Sequence, residues 1–298
     1  MLKQYNINQS PLYQILGRNQ LEKCLNIKLV KLDILLKDDS YRSWINEEGR
    51  TLQQPLGWLK AVHERVAIYL SKIETPDYVY HKKGRSHVKN AHEHVGHHSI
   101  VKTDIRGYFP RTSRQMIKAM FVNQFKCAND IAGILADICS YNKSHLPTGS
   151  AISGYIAFFA NQKLFNAVNE LAVSKGCSFT LYVDDLTISG TEATKLLLNE
   201  VRGLIKSAGR QSKDSKSKVF TPLFAKTVTG VVIKGNECLL PNRRHKAIAD
   251  SRSAIASSLN DVEKAAMLRS LKGRLNAAKQ ILDVNNGVDV SYPNLIYS

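Results

Sequence analysis

Two adjacent aspartates, Asp184 and Asp185, lie between two short runs of β-branched and aromatic residues. The runs Phe179–Val183 and Leu186–Ser189 predict a β-hairpin with the two acids at its turn. Adjacent carboxylates repel one another and lose hydration when a sheet partly buries them, so a bound cation would offset that cost. Magnesium prefers such hard oxygen ligands and keeps positions for phosphate oxygens.

A third carboxylate, Asp104, ends the strand-like run Ser99–Asp104. If this strand lies beside the hairpin, Asp104 completes a set of acids able to bridge two metal ions about 3.5–4 Å apart. Paired metal ions of this kind serve phosphoryl transfer. An isolated Asp-Asp pair is usually a surface turn, but the apolar flanks Tyr182, Val183 and Leu186 favour a half-buried position.

The elements that must position these acids are interleaved along the chain. Helical and strand-like spacing alternate without regular βαβ units, which favours an α+β fold over a doubly wound parallel sheet. The predicted helices cover residues 11–36, 55–73, 113–140 (as one or two helices), 150–173, 192–208, 242–259 and 261–282, the last with Asn260 or Asp261 as N-cap, and a further strand is predicted over 227–233.

The charge balance indicates a polyanionic partner. The 298 residues include 42 Lys+Arg against 25 Asp+Glu, a formal net charge of +17. Residues 199–298 hold 17 basic and 8 acidic residues, so the last third is the most basic part. A hydrophobic share of 43% argues against a disordered basic tail, because it is enough for a folded core. Nucleic acid is the commonest partner of such a protein.

The remaining composition predicts a soluble cytoplasmic protein with no membrane partner. No apolar run reaches the roughly 18 residues of a membrane span, and the N-terminus lacks the pattern of a secretory signal. Five dispersed cysteines without a CxxC pair predict reduced thiols. The five histidines between His87 and His98 have neither zinc-finger spacing nor a nearby cysteine, so a zinc site is not favoured.

At the acidic turn the sequence resembles reverse transcriptases, whose signature is YxDD. Here that signature reads Tyr182-Val183-Asp184-Asp185. Other segments resemble further motifs of the family and occur in the same order. Residues 41–60 look like the fingers segment that contacts the incoming triphosphate, and Lys102–Pro110 looks like the first palm acid motif. Leu146–Ser150 looks like the LPQG segment, and Gly209–Lys218 looks like the basic motif after the palm helix.

Two further patterns narrow the resemblance to retron reverse transcriptases. Asn90-Ala-His-Glu-His94 matches their N-A-x-x-H pattern, and Val228-Thr229-Gly230 matches their VTG pattern. Each match is weak alone, but their order around the acidic motifs makes the set specific. The chain length leads us to expect no RNase H, endonuclease or maturase domain.

The resemblance implies a right-hand polymerase fold with fingers, an antiparallel-sheet palm and a helical thumb. We expect fingers and N-terminal helices over residues 1–98, the palm over 99–234 with fingers helices interleaved at 113–145, and the thumb over 235–298.

The resemblance also implies the roles of the site residues. Asp104, Asp184 and Asp185 would be catalytic and hold two Mg²⁺ ions, one activating the primer hydroxyl and the other bridging the triphosphate. The expected nucleotide-binding residues are Arg50 on the triphosphate, Lys216 (or Lys218) near the pyrophosphate, Phe109 against the sugar where a 2′-hydroxyl would clash, Gly149 in the positioning segment, and Tyr182 and Val183 around the primer end. That segment departs from the family pattern, with Thr148 in place of the usual glutamine.

Structured RNA is the expected template. A-form duplexes are bound through phosphates, shape and 2′-hydroxyls, which suits a basic thumb whose helix 261–282 packs one leucine face and exposes the other. His94 would make structural or RNA contacts. The residues assigned to RNA binding are Asn90, His94, Val228, Thr229, Gly230, Arg243, Arg244, Arg269 and Lys272.

The resemblance implies synthesis of a branched RNA–DNA hybrid from the protein's own noncoding RNA and deoxynucleoside triphosphates, primed from a guanosine 2′-hydroxyl. It also implies antiphage defence together with an effector protein. Two alternatives remain: another defence-associated or intron-type reverse transcriptase, and a catalytically silent RNA-binding scaffold. A neighbouring locus encoding an inverted-repeat RNA and an effector would distinguish the retron from the other enzymes.

Overall fold

The computed structural model describes residues 4–258 and 260–288. Along the chain the helices are α1 (Arg18–Leu25), α2 (Leu32–Leu35), α3 (Gly57–Ser71), α4 (His87–His92), α5 (Arg114–Asn123), α6 (Asn129–Cys139), α7 (Ser153–Ser174), α8 (Lys195–Ser207), α9 (Asn242–Ser257) and α10 (Asp261–Asn285). The strands are β1 (Tyr41–Ile45), β2 (Thr51–Pro55), β3 (Ser99–Asp104), β4 (Ser178–Tyr182), β5 (Asp185–Gly190), β6 (Lys218–Phe220), β7 (Lys226–Val228), β8 (Val231–Lys234) and β9 (Glu237–Leu239).

The chain forms two compact units, each built from separate stretches. Among the described residues, the first unit holds 4–76 and 106–166, and the second holds 77–105 and 167–288 except 259. Helices and antiparallel sheets are mixed, which confirms the α+β class predicted from the sequence.

The first unit is mainly helical and carries one antiparallel hairpin, β1–β2, in which Tyr41 lies opposite Pro55. Helix α5 begins where the Ser113 hydroxyl accepts a hydrogen bond from the Met116 amide, a typical N-cap. Its Arg114 pairs with Asp137 of α6 at 2.5 Å. The core of this unit includes a group of buried phenylalanine rings, namely Phe121, Phe125, Phe158, Phe159 and Phe165.

The second unit contains a four-stranded antiparallel sheet in the order β4-β5-β3-β6. Strands β4 and β5 form the predicted hairpin, with Tyr182 opposite Asp185. Strand β5 also pairs with β3, and this register places Asp185 opposite Asp104. The inner residues of these strands are buried, so the sheet fixes the position of the acids at its end.

A second sheet, β7-β8-β9, shares an apolar core with α4 and the end of α10. Val88 and Ala91 of α4 meet Val228 and Val231 there, so the segments containing N-A-x-x-H and VTG pack in one core. The other buried members of that core are Ile100, Ile233, Cys238, Ile281 and Val284.

Most predicted elements are confirmed, with shifted ends. Two predictions need correction. The single strand over 227–233 is wrong, because Thr229 (φ +44°) and Gly230 (φ +77°) turn the chain and split it into β7 and β8. The helix over 11–36 is confirmed only as the short pieces α1 and α2 with a 3₁₀ turn before α2.

The apolar face of α10 does not pack as predicted. Leu268 and Leu275 are 49% and 38% exposed, whereas Ile281 and Val284 near the helix end are buried. The N-cap prediction is confirmed, since the Asn260 side chain accepts from the amides of Val262 and Glu263. All five cysteines are free thiols, and four of them are buried. No helix within the described residues is both long and apolar enough to cross a membrane.

Candidate active site

The acidic turn joins β4 to β5 through Val183 and Asp184. Val183 has a φ of +59°, whereas Asp184 does not have a positive φ. This combination is typical of a type II′ turn, whose first central position favours glycine. A β-branched residue there is strained, and strain of this kind persists where the surrounding structure holds it. The Ile105 amide supports the turn by donating to the Asp184 carbonyl at 3.1 Å.

Two of the three predicted catalytic acids face each other across the sheet. Asp104 and Asp185 are register partners, an arrangement that brings Cβ atoms to about 4.5–5.5 Å. Lys102 lies on the same face of β3 as Asp104, and its ammonium group contacts Asp185 Oδ2 at 2.6 Å. Oδ1 of Asp104 and Oδ1 of Asp185 are buried without a hydrogen-bond donor among the described residues.

Burial raises the pKa of Asp185 to about 6. The Lys102 ammonium opposes this shift, and the neighbouring carboxylates of Asp104 and Asp184 add to it. A buried carboxyl with a raised pKa beside like charges is typical of functional sites, where an added positive charge restores the ionised form.

The donor set fits a divalent cation, since two buried carboxylate oxygens on paired strands lack hydrogen bonds. Within the described part of the chain, however, no three His, Cys, Asp or Glu side chains are grouped closely enough to form a metal cluster. The magnesium prediction therefore rests on the two open oxygens and on the resemblance.

One residue that sequence reasoning missed is His81, which supports the acidic turn. The Val183 amide donates to His81 Nδ1 at 3.1 Å, and the imidazole also hydrogen-bonds the Leu181 backbone. Burial lowers the pKa of His81 to about 4, so the ring is neutral at pH 7 and Nδ1 can accept. The contact joins positions far apart in sequence, and no local pattern signals it.

His81→Phe should slow DNA synthesis roughly tenfold, because it leaves the strained turn's Val183 amide without its acceptor at a cost of about 1–3 kcal/mol. His81→Asn offers an amide oxygen as acceptor and should retain more activity. The measurement is single-turnover primer extension, with His97→Phe, at an exposed position of the same unit, as control. Equal rates for His81→Phe and the wild type would show that the turn does not need this hydrogen bond.

The predicted nucleotide-binding residues Arg50, Phe109 and Gly149 lie in the first unit. Arg50 follows the tip of the β1–β2 hairpin, is largely exposed, and pairs with Glu48 at 3.3 Å. Phe109 is half-buried, and its ring lies 5.4 Å from that of Tyr108. Both side chains are therefore accessible to a ligand.

Gly149 permits a close approach between the Leu146–Ser150 segment and strand β2. A Cβ at Gly149 would lie 3.0 Å from the Gln53 carbonyl oxygen, so a larger residue there would have to displace the β2 backbone slightly. Thr148 also contacts this strand, donating from its hydroxyl to the Thr51 carbonyl at 2.5 Å. The threonine at the position of the family's glutamine thus holds the segment against β2 by a hydrogen bond.

In the second unit, the predicted pyrophosphate contact Lys216 is exposed, and so is Lys218. Lys216 ends a 3₁₀ turn, Asp214–Lys216, that follows Lys213. The Lys213 amide donates to the Asp104 carbonyl at 2.9 Å, which ties the start of this basic loop to the acidic end of β3.

The N-A-x-x-H residues are internal. His94 is fully buried between the hydroxyls of Ser189 and Thr180, each 2.7 Å from a ring nitrogen. Asn90 is also fully buried. A direct RNA contact by either side chain does not fit this burial, so the structure corrects that part of the prediction. Any effect on RNA would pass through the surface that they support.

The VTG residues form the turn between β7 and β8. Val228 is fully buried and cannot reach RNA, whereas the Thr229 hydroxyl donates to the His87 carbonyl of α4 at 2.6 Å. A Cβ at Gly230 would lie 3.5 Å from Arg244 Nη2 and 3.7 Å from Arg243 Nη2. Two cationic side chains of α9 therefore lie beside this turn.

Of the remaining residues predicted to bind RNA, Arg269 and Lys272 are exposed on α10. Tyr182 is half-buried at the end of β4, with its ring 6.4 Å from that of His87. The second unit thus carries the three acids, the VTG turn and the basic helices α9 and α10.

Comparison with known proteins finds similarity to several retron reverse transcriptases. The retron Ec86 reverse transcriptase of Escherichia coli is 27% identical over 234 residues, covering 75% of this chain and 72% of the relative. The retron Se72 reverse transcriptase of Salmonella heidelberg is 28% identical, covering 72% of this chain and 61% of the relative. The retron Mx65 reverse transcriptase of Myxococcus xanthus is 26% identical, covering 62% and 48%. No family model matches the chain.

The chain is thus similar to reverse transcriptases, which are RNA-directed DNA polymerases. Within that class the relatives support a retron-type enzyme, as the motifs predict. The chain spans 72% of one relative's length and less than two thirds of the other two.

Proposed function

We propose that this chain is the RNA-directed DNA polymerase of a retron. It makes a branched, RNA-linked single-stranded DNA from its own structured noncoding RNA, and it acts with an effector protein in antiphage defence. The observation that carries the proposal is the strained acidic turn, which sets Asp185 opposite Asp104 at the end of a buried antiparallel sheet. The similarity to retron reverse transcriptases supports it.

In this proposal the right-hand layout is assigned to particular elements. The sheet β4-β5-β3-β6 is the centre of the palm, which spans residues 99–234 with fingers helices interleaved at 113–145. Residues 1–98 form fingers and N-terminal helices, and the thumb begins at 235 with α9 and α10.

Asp104, Asp184 and Asp185 would hold two Mg²⁺ ions. When bound, magnesium supplies positive charge that favours the ionised primer hydroxyl and neutralises the triphosphate. The chain's own contribution is to fix the acids, through the β3–β5 register for Asp104 and Asp185 and through the Val183–His81 hydrogen bond for the turn.

The proposed nucleotide contacts are the residues that the resemblance assigns to this role. Arg50 offers a planar fork that matches phosphate oxygens, and its partner Glu48 is exposed enough to release it. Lys216 adds a cation for the departing pyrophosphate. Phe109 meets the sugar of the incoming nucleotide, and Tyr182 and Val183 shape the primer-end pocket.

Structured RNA would be bound by the basic surface of the second unit, with Arg243 and Arg244 beside the VTG turn and Arg269 and Lys272 on α10. These side chains would contact the phosphate backbone. Binding of this kind releases counterions, so it depends on charge and shape more than on base sequence.

RNA affinity should fall steeply as salt rises, with a linear relation between log K and log salt concentration. Arg269→Ala with Lys272→Ala should reduce the slope by roughly 1.4–1.8, because two phosphate contacts are lost. Arg18→Ala with Lys23→Ala, two exposed cations of α1, is the matched control and should leave the slope unchanged. A salt-independent affinity, or equal slopes for both double variants, would contradict the assignment of α10 to RNA.

Primer extension tests the polymerase proposal. Purified protein with an RNA template, an annealed primer, Mg²⁺ and deoxynucleoside triphosphates should produce complementary DNA, and EDTA should stop the reaction. Tight RNA binding without any product on RNA from its own locus would favour the alternative of a silent RNA-binding scaffold. Efficient extension on unrelated RNAs without a branched product would favour another defence-associated or intron-type enzyme.

A further inference from the structure

The lysine beside the acidic turn has no role in the proposed chemistry so far. Lys102 Nζ lies 2.6 Å from Asp185 Oδ2, and the two side chains are only 13% and 17% exposed. Both residues are fixed by the β3–β5 register, in which Lys102 lies opposite Thr187 and Asp185 lies opposite Asp104. The ion pair is therefore a diagonal contact on one face of the sheet.

The two carboxylate oxygens of Asp185 have different surroundings. Oδ2 contacts the ammonium group, while Oδ1 is buried without a donor among the described residues, as is Oδ1 of Asp104. A buried carboxylate oxygen without a hydrogen-bond partner destabilises the fold. An ion pair that only stabilised the fold would not explain why two such oxygens lie next to it. A ligand that binds both oxygens would explain them.

Lys218 provides an internal comparison. It lies opposite Lys102 on the other neighbouring strand, β6, but its side chain is exposed. The four-stranded sheet thus places two lysines in register, of which Lys102 is directed to the acids by its ion pair with Asp185. The charge of Lys102 acts at short range in a partly desolvated site, where it is screened little.

We propose that Lys102 is a positioning residue for the metal site. Its ammonium group holds Oδ2 of Asp185, directs Oδ1 to the metal, and offsets the repulsion among the three carboxylates before a metal ion arrives. This role has opposite effects on metal affinity and on the rate of synthesis. Lys102 lowers the affinity of the acids for a divalent cation, because it is itself a positive charge in the site, and it raises the rate of synthesis by orienting Asp185. This inference rests on the proposed function.

Divalent-ion binding measured without nucleotides or primer tests the first consequence. Mn²⁺ binding followed by electron paramagnetic resonance should be roughly tenfold tighter in Lys102→Met than in the wild type, because a nearby positive charge is gone. Without metal, Lys102→Met should melt at a lower temperature than the wild type. Added Mg²⁺ should raise its melting temperature by more than it raises that of the wild type. Lys102→Arg keeps the charge and should stay near the wild type, as should the control Lys234→Met, at an exposed strand position of the same unit.

A double variant separates this role from a purely structural one. In Lys102→Met with Asp185→Asn, the gain in Mn²⁺ affinity relative to Asp185→Asn alone should shrink to less than threefold. Unchanged or weaker Mn²⁺ binding in Lys102→Met would overturn the proposal, as would a gain of the same size in the Asp185→Asn background. If Lys102→Met does not fold, Lys102→Gln gives the same comparison.

Primer extension tests the second consequence and separates the two proposals. Lys102→Met should lower kcat at saturating Mg²⁺ by at least tenfold and leave KM for nucleotides within about twofold, with Lys102→Arg recovering part of the rate. An unchanged kcat would overturn the positioning role. A wild-type protein that makes no DNA but shows the Mn²⁺ difference would refute the polymerase proposal and leave the charge effect of Lys102 intact.

Discussion

Asp184→Asn combined with Asp185→Asn should abolish DNA synthesis while RNA binding stays within about twofold of the wild type. Asp104→Asn alone should lower the rate by roughly 10³-fold, because loss of a metal-binding carboxylate removes several kcal/mol of transition-state stabilisation. RNA binding is spared because the basic residues of α9 and α10 are distinct from the acids. The measurements are primer extension under single-turnover conditions and RNA binding by filter retention.

Asp250→Asn is the matched control for these variants, since Asp250 is an exposed acid on α9 of the same unit. It should leave the extension rate unchanged. Substantial synthesis by the Asp184→Asn and Asp185→Asn double variant would remove the acidic turn from the mechanism. Parallel loss of RNA binding and synthesis would show instead that the acids act by maintaining the fold.

Phe109→Ala should let ribonucleotides into the product. Discrimination between a deoxynucleotide and the matching ribonucleotide should fall by about 100-fold, because the half-buried ring no longer excludes a 2′-hydroxyl. The rate with deoxynucleotides should change much less. The measurement is the ratio of kcat/KM for the two sugars on one template.

Tyr108→Phe is a suitable control for this prediction, since it keeps a ring next to Phe109. Its sugar discrimination should equal that of the wild type. Unchanged discrimination in Phe109→Ala would reject the steric role. An equal loss of kcat/KM for both nucleotides would show that the ring serves packing and not sugar selection.

The acidic hairpin was predictable from sequence because its signal is local. Short apolar runs flank Asp184 and Asp185, and this alternation specifies two strands and a turn. The pairing of β5 with β3 was only a hypothesis at that level, since the partner strand lies far away along the chain. The structure supplies this register, and with it the approach of Asp104 to Asp185.

Contacts between distant positions account for what sequence reasoning missed. His81 reaches Val183 across 102 positions, and nothing near His81 signals this role. The burial of His94 between Ser189 and Thr180 is likewise non-local. Sequence patterns located the N-A-x-x-H motif, but only the packing shows that its named polar side chains face the interior.

Two errors had local causes. The segment 227–233 is rich in β-branched residues, and that composition hid the Thr229–Gly230 turn, although the glycine was a turn signal. The leucines of α10 have helical spacing and do form a helix. Their periodicity, however, does not show whether another element packs against the leucine face. Leu268 and Leu275 remain partly exposed as a result.

The nucleic acid that co-purifies with the protein tests the retron assignment most directly. Protein purified with its native locus should carry a single-stranded DNA joined to RNA through a 2′-linkage, detectable by RNase treatment, debranching and sequencing. The Asp184→Asn and Asp185→Asn variant should carry the same RNA without DNA. RNA alone on the wild-type protein, or the same DNA on the double variant, would contradict the retron assignment.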